Sequence, residues 1–84
     1  MYTTFNFEIY FDKKMSDEES TLFCNIFGDA LRNQKLLIWE AVGEDFIKGF
    51  VDYGQSGMSK EDSIKCFTEQ LNKLDYKFEI KNVV

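Results

Sequence analysis

Few residues in this chain could do acid–base or nucleophilic chemistry. There is no histidine among its 84 residues, so a serine or cysteine nucleophile would lack its usual imidazole base. Cys24 and Cys66 lie far apart in sequence and outside any Cys-x-x-Cys pair. Without histidine they also lack the companions of a zinc site, so free, half-buried thiols are expected. Glu8 and Glu79 become a carboxylate pair if their strands adjoin, although an exposed pair on a sheet is ordinarily solvated surface. The run Gly54–Ser59 leads into a helix start, a place where anions bind. It lacks the P-loop spacing and its Lys-Ser/Thr pair, and Glu61 and Asp62 already stand at the positive end of the dipole. The expectation is a non-enzymatic chain with neither metal nor cofactor. What remains is recognition chemistry, carried by Tyr10, Leu37, Trp39, Phe46, Lys48, Phe50 and Asp52. Trp and Tyr are among the side chains that most often dominate binding energy.

The elements that must position these residues follow from the period of the apolar pattern. From Thr4 to Phe11 the alternation is strict. Phe5, Phe7, Ile9 and Phe11 point one way and Thr4, Asn6, Glu8 and Tyr10 the other, as in a strand with one buried face. Ser16 with Glu19 three residues later is a capping box that opens a helix. Its apolar stripe is Leu22, Phe23, Ile26, Phe27, Ala30 and Leu31. Leu36–Val42 and Asp45–Tyr53 read as two strands joined by a two-residue loop, Gly43-Glu44, of the II′ type. That register sets Leu37 opposite Phe50, Trp39 opposite Lys48 and Ala41 opposite Phe46. On the other face it sets Leu36 opposite Val51, Ile38 opposite Gly49 and Glu40 opposite Ile47. A rival reading makes one helix of this segment, with Ile38, Val42, Phe46, Phe50 and Tyr53 as its stripe. Gly43 and Gly49 would each cost such a helix about 1 kcal/mol, and the segment is rich in strand-forming types. After a flexible connection, Gly54–Met58, a second helix opens at Ser59, with Asp62 as a weaker capping box. Its stripe is Ile64, Phe67, Leu71 and Leu74. The last strand is Tyr76–Val83.

This order, β-α-β-β-α-β, is the ferredoxin-like arrangement of the α+β class. It gives a four-stranded antiparallel sheet with two helices on one face, in strand order 4-1-3-2. Residues 1–84 form a single domain. The helices would cover Phe5, Phe7, Ile9, Phe11, Phe78 and Ile80, with Leu36, Ile38, Ile47 and Val51 from the hairpin. The open face is expected to divide. Toward strand four it is polar, with Asn6, Glu8, Lys77, Glu79 and Lys81. Toward strand two it is aromatic, around Trp39, Phe46 and Phe50. A contiguous apolar patch of that kind marks an interface.

Nine Phe, four Tyr and one Trp argue against intrinsic disorder. No apolar run approaches the ~20 residues of a membrane span. No targeting signal is legible at the first residues, which makes the cytoplasm the expected location. The formal net charge of −5 repels a phosphate backbone and favours a basic partner.

One motif is similar to a known one. Lys48-Gly49-Phe50-Val51-Asp52-Tyr53 resembles a shortened RNP1 motif of the RNA recognition motif family, and Ile9-Tyr10-Phe11 resembles the start of RNP2. The resemblance implies single-stranded RNA stacked on the open sheet, with Tyr10 and Phe50 as platforms and Lys48 as a phosphate contact. The motif is two residues short, and Asp52 stands where a second aromatic belongs. The acidic balance also runs against the basic footprint of RNA binders. In size and acidity the chain is similar to small phage-type inhibitors of nucleic-acid-handling complexes. The expected function is therefore binding of a protein through the open sheet face. The expected partner is either a basic, nucleic-acid-handling protein or a second copy of the chain.

Overall fold

The structure, a computed structural model, describes residues 2–84. Its elements are β1 (Thr4–Phe11), α1 (Asp17–Asn33), β2 (Leu37–Val42), β3 (Phe46–Asp52), α2 (Lys60–Asn72) and β4 (Phe78–Lys81). All pairings are antiparallel and the strand order is β2-β3-β1-β4. This is the ferredoxin-like α+β fold, with both helices on the sheet face that carries Phe5, Phe7, Ile9 and Phe11. The segment 36–53 is a hairpin, and the helical alternative falls.

The core is aromatic. Phe5, Phe7, Phe23 and Phe67 are fully buried or nearly so. Phe67 of α2 meets Phe5, Phe7 and Phe27, with ring centroids 5.4, 5.0 and 5.2 Å away. Phe23 of α1 meets Phe11 edge-on at 5.2 Å. Such offset and edge-to-face contacts add to the area that each ring buries.

Both helices begin as their sequences dictate. Ser16 accepts the Glu19 N–H at 3.1 Å, and the Glu19 carboxylate accepts the Ser16 N–H at 3.2 Å. Ser59 accepts the Asp62 N–H at 3.1 Å. The buried line of α1 is narrower than its apolar stripe: Phe23, Phe27 and Leu31 are buried, whereas Leu22 and Ile26 are exposed. A helical wheel gives the width of an apolar arc, but the sheet fixes which line of it is covered. Helix α1 ends in a Schellman arrangement. The Lys35 N–H donates to Arg32 O and the Leu36 N–H to Leu31 O, each at 2.9 Å. Lys35 takes the left-handed conformation (φ 61°) where glycine is usual, and the flanking Leu31 and Leu36 are both fully buried.

Three local expectations are corrected. First, the hairpin turns at Glu44-Asp45, not Gly43-Glu44. The Gly43 N–H donates to Phe46 O at 2.8 Å, and no turn residue has the positive φ that a II′ turn requires. Gly43 serves a different need, since a Cβ there would lie 2.1 Å from the Phe46 ring. The register consequently moves by two residues, placing Trp39 opposite Phe50, Ala41 opposite Lys48 and Ile38 opposite Val51. Because the strand period is two, every side chain keeps its face. The turn is held by its carbonyls: the Phe11 and Met15 N–H groups donate to Asp45 O and Glu44 O, each at 2.8 Å.

Second, β4 is shorter than expected. Beyond Lys81 a bulge at Asn82 (φ 52°) interrupts the ladder. Asn6 and Val84 then exchange N–H···O bonds of 2.9 and 3.2 Å, one residue out of the earlier register. Third, the 54–58 connection is a bonded turn. The Ser56 hydroxyl donates to Tyr53 O at 2.7 Å and accepts the Met58 N–H at 3.1 Å. Gly57 supplies the positive φ of 76°. No described helix is long and apolar enough to cross a membrane.

Candidate interaction face

The sheet face away from the helices is a set of cross-strand rows, each fixed by the pairing of β2, β3, β1 and β4. One row reads Leu37, Asp52, Thr4 and the next Trp39, Phe50, Asn6. The third reads Ala41, Lys48, Glu8, Lys81, and the last Phe46, Tyr10, Glu79. All seven residues singled out for recognition therefore lie on this face. They are not arranged as an aromatic half beside a polar half. An ionic row, Lys48–Glu8–Lys81, crosses the sheet and separates two aromatic pairs.

The outer pair is Trp39 and Phe50. Their rings stack with centroids 5.0 Å apart and an interplanar angle of 15°. They remain 48% and 38% exposed, unusually open for two large rings in contact. The stack depends on the register: the turn at Glu44-Asp45 sets Trp39 opposite Phe50, whereas a turn at Gly43-Glu44 sets it opposite Lys48. The inner pair, Tyr10 and Phe46, sits with centroids 6.3 Å apart and is covered by cations of the chain itself. Lys48 Nζ lies 4.9 Å from the Phe46 centroid and Lys81 Nζ 5.3 Å from the Tyr10 centroid.

Glu8 is the hub of the ionic row. It accepts the Tyr10 hydroxyl at 2.5 Å, the side-chain amide of Asn82, and an ion pair from Lys48 at 3.7 Å. The Tyr10 and Asn82 hydrogen bonds hold its carboxyl below the usual range, and the same bond to Glu8 raises the Tyr10 phenol. Asp52 is engaged differently. Its Oδ1 accepts the Gly54 N–H and the Thr3 hydroxyl, each at 2.8 Å, and both bonds lower its pKa. Leu37 is half-buried beside it.

Potentially reactive groups elsewhere are subdued. Cys24 and Cys66 are free and half-buried. Burial, with Glu40 nearby, pushes the Cys24 thiol up to about 11, and burial raises Cys66 as well. A thiol so raised is a poor nucleophile at neutral pH. Glu79 lies opposite Tyr10, diagonal to Glu8, and faces Lys81 at 3.7 Å. Among the described residues, no group of three or more His, Cys, Asp or Glu could hold a metal ion.

Sequence reasoning missed a second feature beside this face. Between α1 and the hairpin runs a groove of about 580 Å³, lined by Asp17, Cys24, Glu40, Val42 and Glu44 among others. Glu44 is paired with Lys14 at 3.1 Å. Glu40 has no ion-pair partner among the described residues, and partial desolvation raises its carboxyl although Arg32 acts against the shift. The signal for it was present in the sequence: Glu40 is the one charged residue in β2. No family model, no curated protein and no solved structure matches the chain.

Proposed function

We propose that this chain is a small non-enzymatic protein-binding module that engages a basic protein partner through the outer, Trp39–Phe50 part of its open sheet face. The observation that carries the reading is the exposed stack itself. Two large rings already packed on each other form a rigid apolar platform, and further burial costs them little side-chain entropy. Lys48 and Lys81 are committed to Glu8, Glu79 and the inner rings. The net charge of −5 would steer a basic surface toward the platform. A nucleic-acid-handling protein, whose own binding surface is basic, is the partner class of matching chemistry. Occupation of that surface by an acidic domain would make the chain an inhibitor.

The test compares the intact chain with the Trp39→Ala/Phe50→Ala double variant. Proteins captured from the native host are identified, purified and titrated against both forms, with circular dichroism to verify folding. The double variant should lose at least about a hundredfold in affinity. Equal affinity of the two folded proteins would refute the reading. A salt-sensitive quench of Trp39 fluorescence by single-stranded RNA, without a protein partner, would favour the RNA recognition motif resemblance instead.

A further inference from the structure

The two edges of the sheet are built differently. Strand β4 is short, alternates Phe78, Glu79, Ile80 and Lys81, and ends in the Asn82 bulge. Short length, charges and bulges are the means by which sheet edges are kept from pairing with other chains. Strand β2 is longer and its ladder carries no bulge. Its six residues, Leu-Ile-Trp-Glu-Ala-Val, include one charge and no proline, and four of them are exposed.

The direction of its free backbone groups can be derived. The Gly43 N–H donates to Phe46 O, so Gly43 and Phe46 are a hydrogen-bonded pair of the β2–β3 ladder. Such pairs alternate along an antiparallel ladder. The N–H and C=O groups of Leu37, Trp39 and Ala41 therefore point to β3, and those of Ile38, Glu40 and Val42 point outward. No group among the described residues bonds to these outward donors and acceptors.

We infer that the β2 edge receives an extended strand from a protein partner, with a Lys or Arg of that strand opposite Glu40 and apolar residues beside Trp39. This rests on the protein-binding reading above and specifies the partner's form. Charge complementarity selects the occupant. Residues directly opposite each other in an antiparallel pair share a face, so the residue opposite Glu40 lies on the groove side, near Asp17. A basic side chain there neutralises a carboxylate that lacks an ion-pair partner in the free protein. The next residue of the strand falls on the open face and extends the Trp39–Phe50 platform. A second copy fits poorly. An antiparallel β2–β2 pair centred on Glu40 sets the two carboxylates directly opposite each other. In pairs centred on Trp39 or Ala41 the two Glu40 side chains stand diagonally, about 7–8 Å apart, and both chains carry a net charge of −5.

The test titrates the isotopically labelled full chain with the peptide acetyl-Thr-Lys-Val-Lys-Val-Lys-Thr-amide, followed by nuclear magnetic resonance. Saturable shifts and slowed hydrogen exchange are expected at the Ile38, Glu40 and Val42 amides, with Kd below about 1 mM. N-methylation of the three lysines should abolish binding, because their N–H groups face β2. N-methylation of the two valines should not, since their N–H groups face away. Replacing lysine by glutamate should weaken binding at least about tenfold, and Glu40→Gln about two- to fivefold. Absence of saturable binding overturns the proposal. Shifts confined to Trp39 and Phe50, with the edge amides unchanged, overturn the strand addition while leaving the platform reading intact. Edge protection that rises with protein concentration alone assigns the edge to a second copy and also overturns it.

Discussion

Asp52 was expected to meet a partner, and its Oδ1 accepts the Gly54 N–H and the Thr3 hydroxyl. Glu8 and Glu19 are likewise held ionised by hydrogen bonds, and all three carboxyls lie below their ordinary values. The sign follows from linkage. A carboxyl with a lowered folded pKa stabilises the fold fully above its unfolded value, about 4, and the contribution disappears as pH falls through the folded value. Acid should therefore destabilise the protein progressively below about pH 5. Asp52→Asn, which keeps an acceptor but cannot titrate, should flatten that limb in urea midpoints measured against pH. Identical slopes for the two proteins would contradict the assignment. The Ser16–Glu19 bonds were legible in sequence as a capping box, whereas those of Thr3 to Asp52 and of Asn82 to Glu8 depend on which distant residue the fold brings alongside.

At the scale of elements, the sequence showed more. The switch from period two to the helical period placed all six elements, and Ser16 and Ser59 marked both helix starts, because capping is a local chemistry. The hairpin turn was not legible for the same kind of reason. Gly43 looks like a turn residue, yet its smallness serves the Phe46 ring. Face assignments survived the two-residue shift, so the recognition residues were found together, while the Trp39–Phe50 stack, which needs the true register, was not. Gly49 gives the strongest prediction here. A Cβ at that position would lie 1.8 Å from Trp39 O, a backbone atom that cannot swing aside. Gly49→Ala should destabilise the protein by at least about 2 kcal/mol in chemical unfolding and disturb the β2 amides first. A near-neutral result would show that β2 sits farther from β3 than described.

For the molecule as a whole, one aromatic cluster bears much of the stability. Phe67 joins α2 to Phe5 and Phe7 of the sheet and to Phe27 of α1. Phe67→Ala should cost about 3–5 kcal/mol, against a total of roughly 4–13 kcal/mol for a domain of this length. The variant should be partly unfolded at 37 °C by calorimetry, and a fully folded variant would show that the neighbours close the cavity. The strand order carries a further consequence. Strand β1 is the first made and lies inside the sheet, between β3 and β4. During synthesis its β3-facing edge can close once the hairpin has emerged, but its other edge waits for β4, close to the last described residue. Such sequence-distant pairing slows folding. The growing chain therefore carries an open edge at the centre of its future sheet until β4 has left the ribosome, which makes the pace of the ribosome and the company of chaperones part of how this protein reaches its fold.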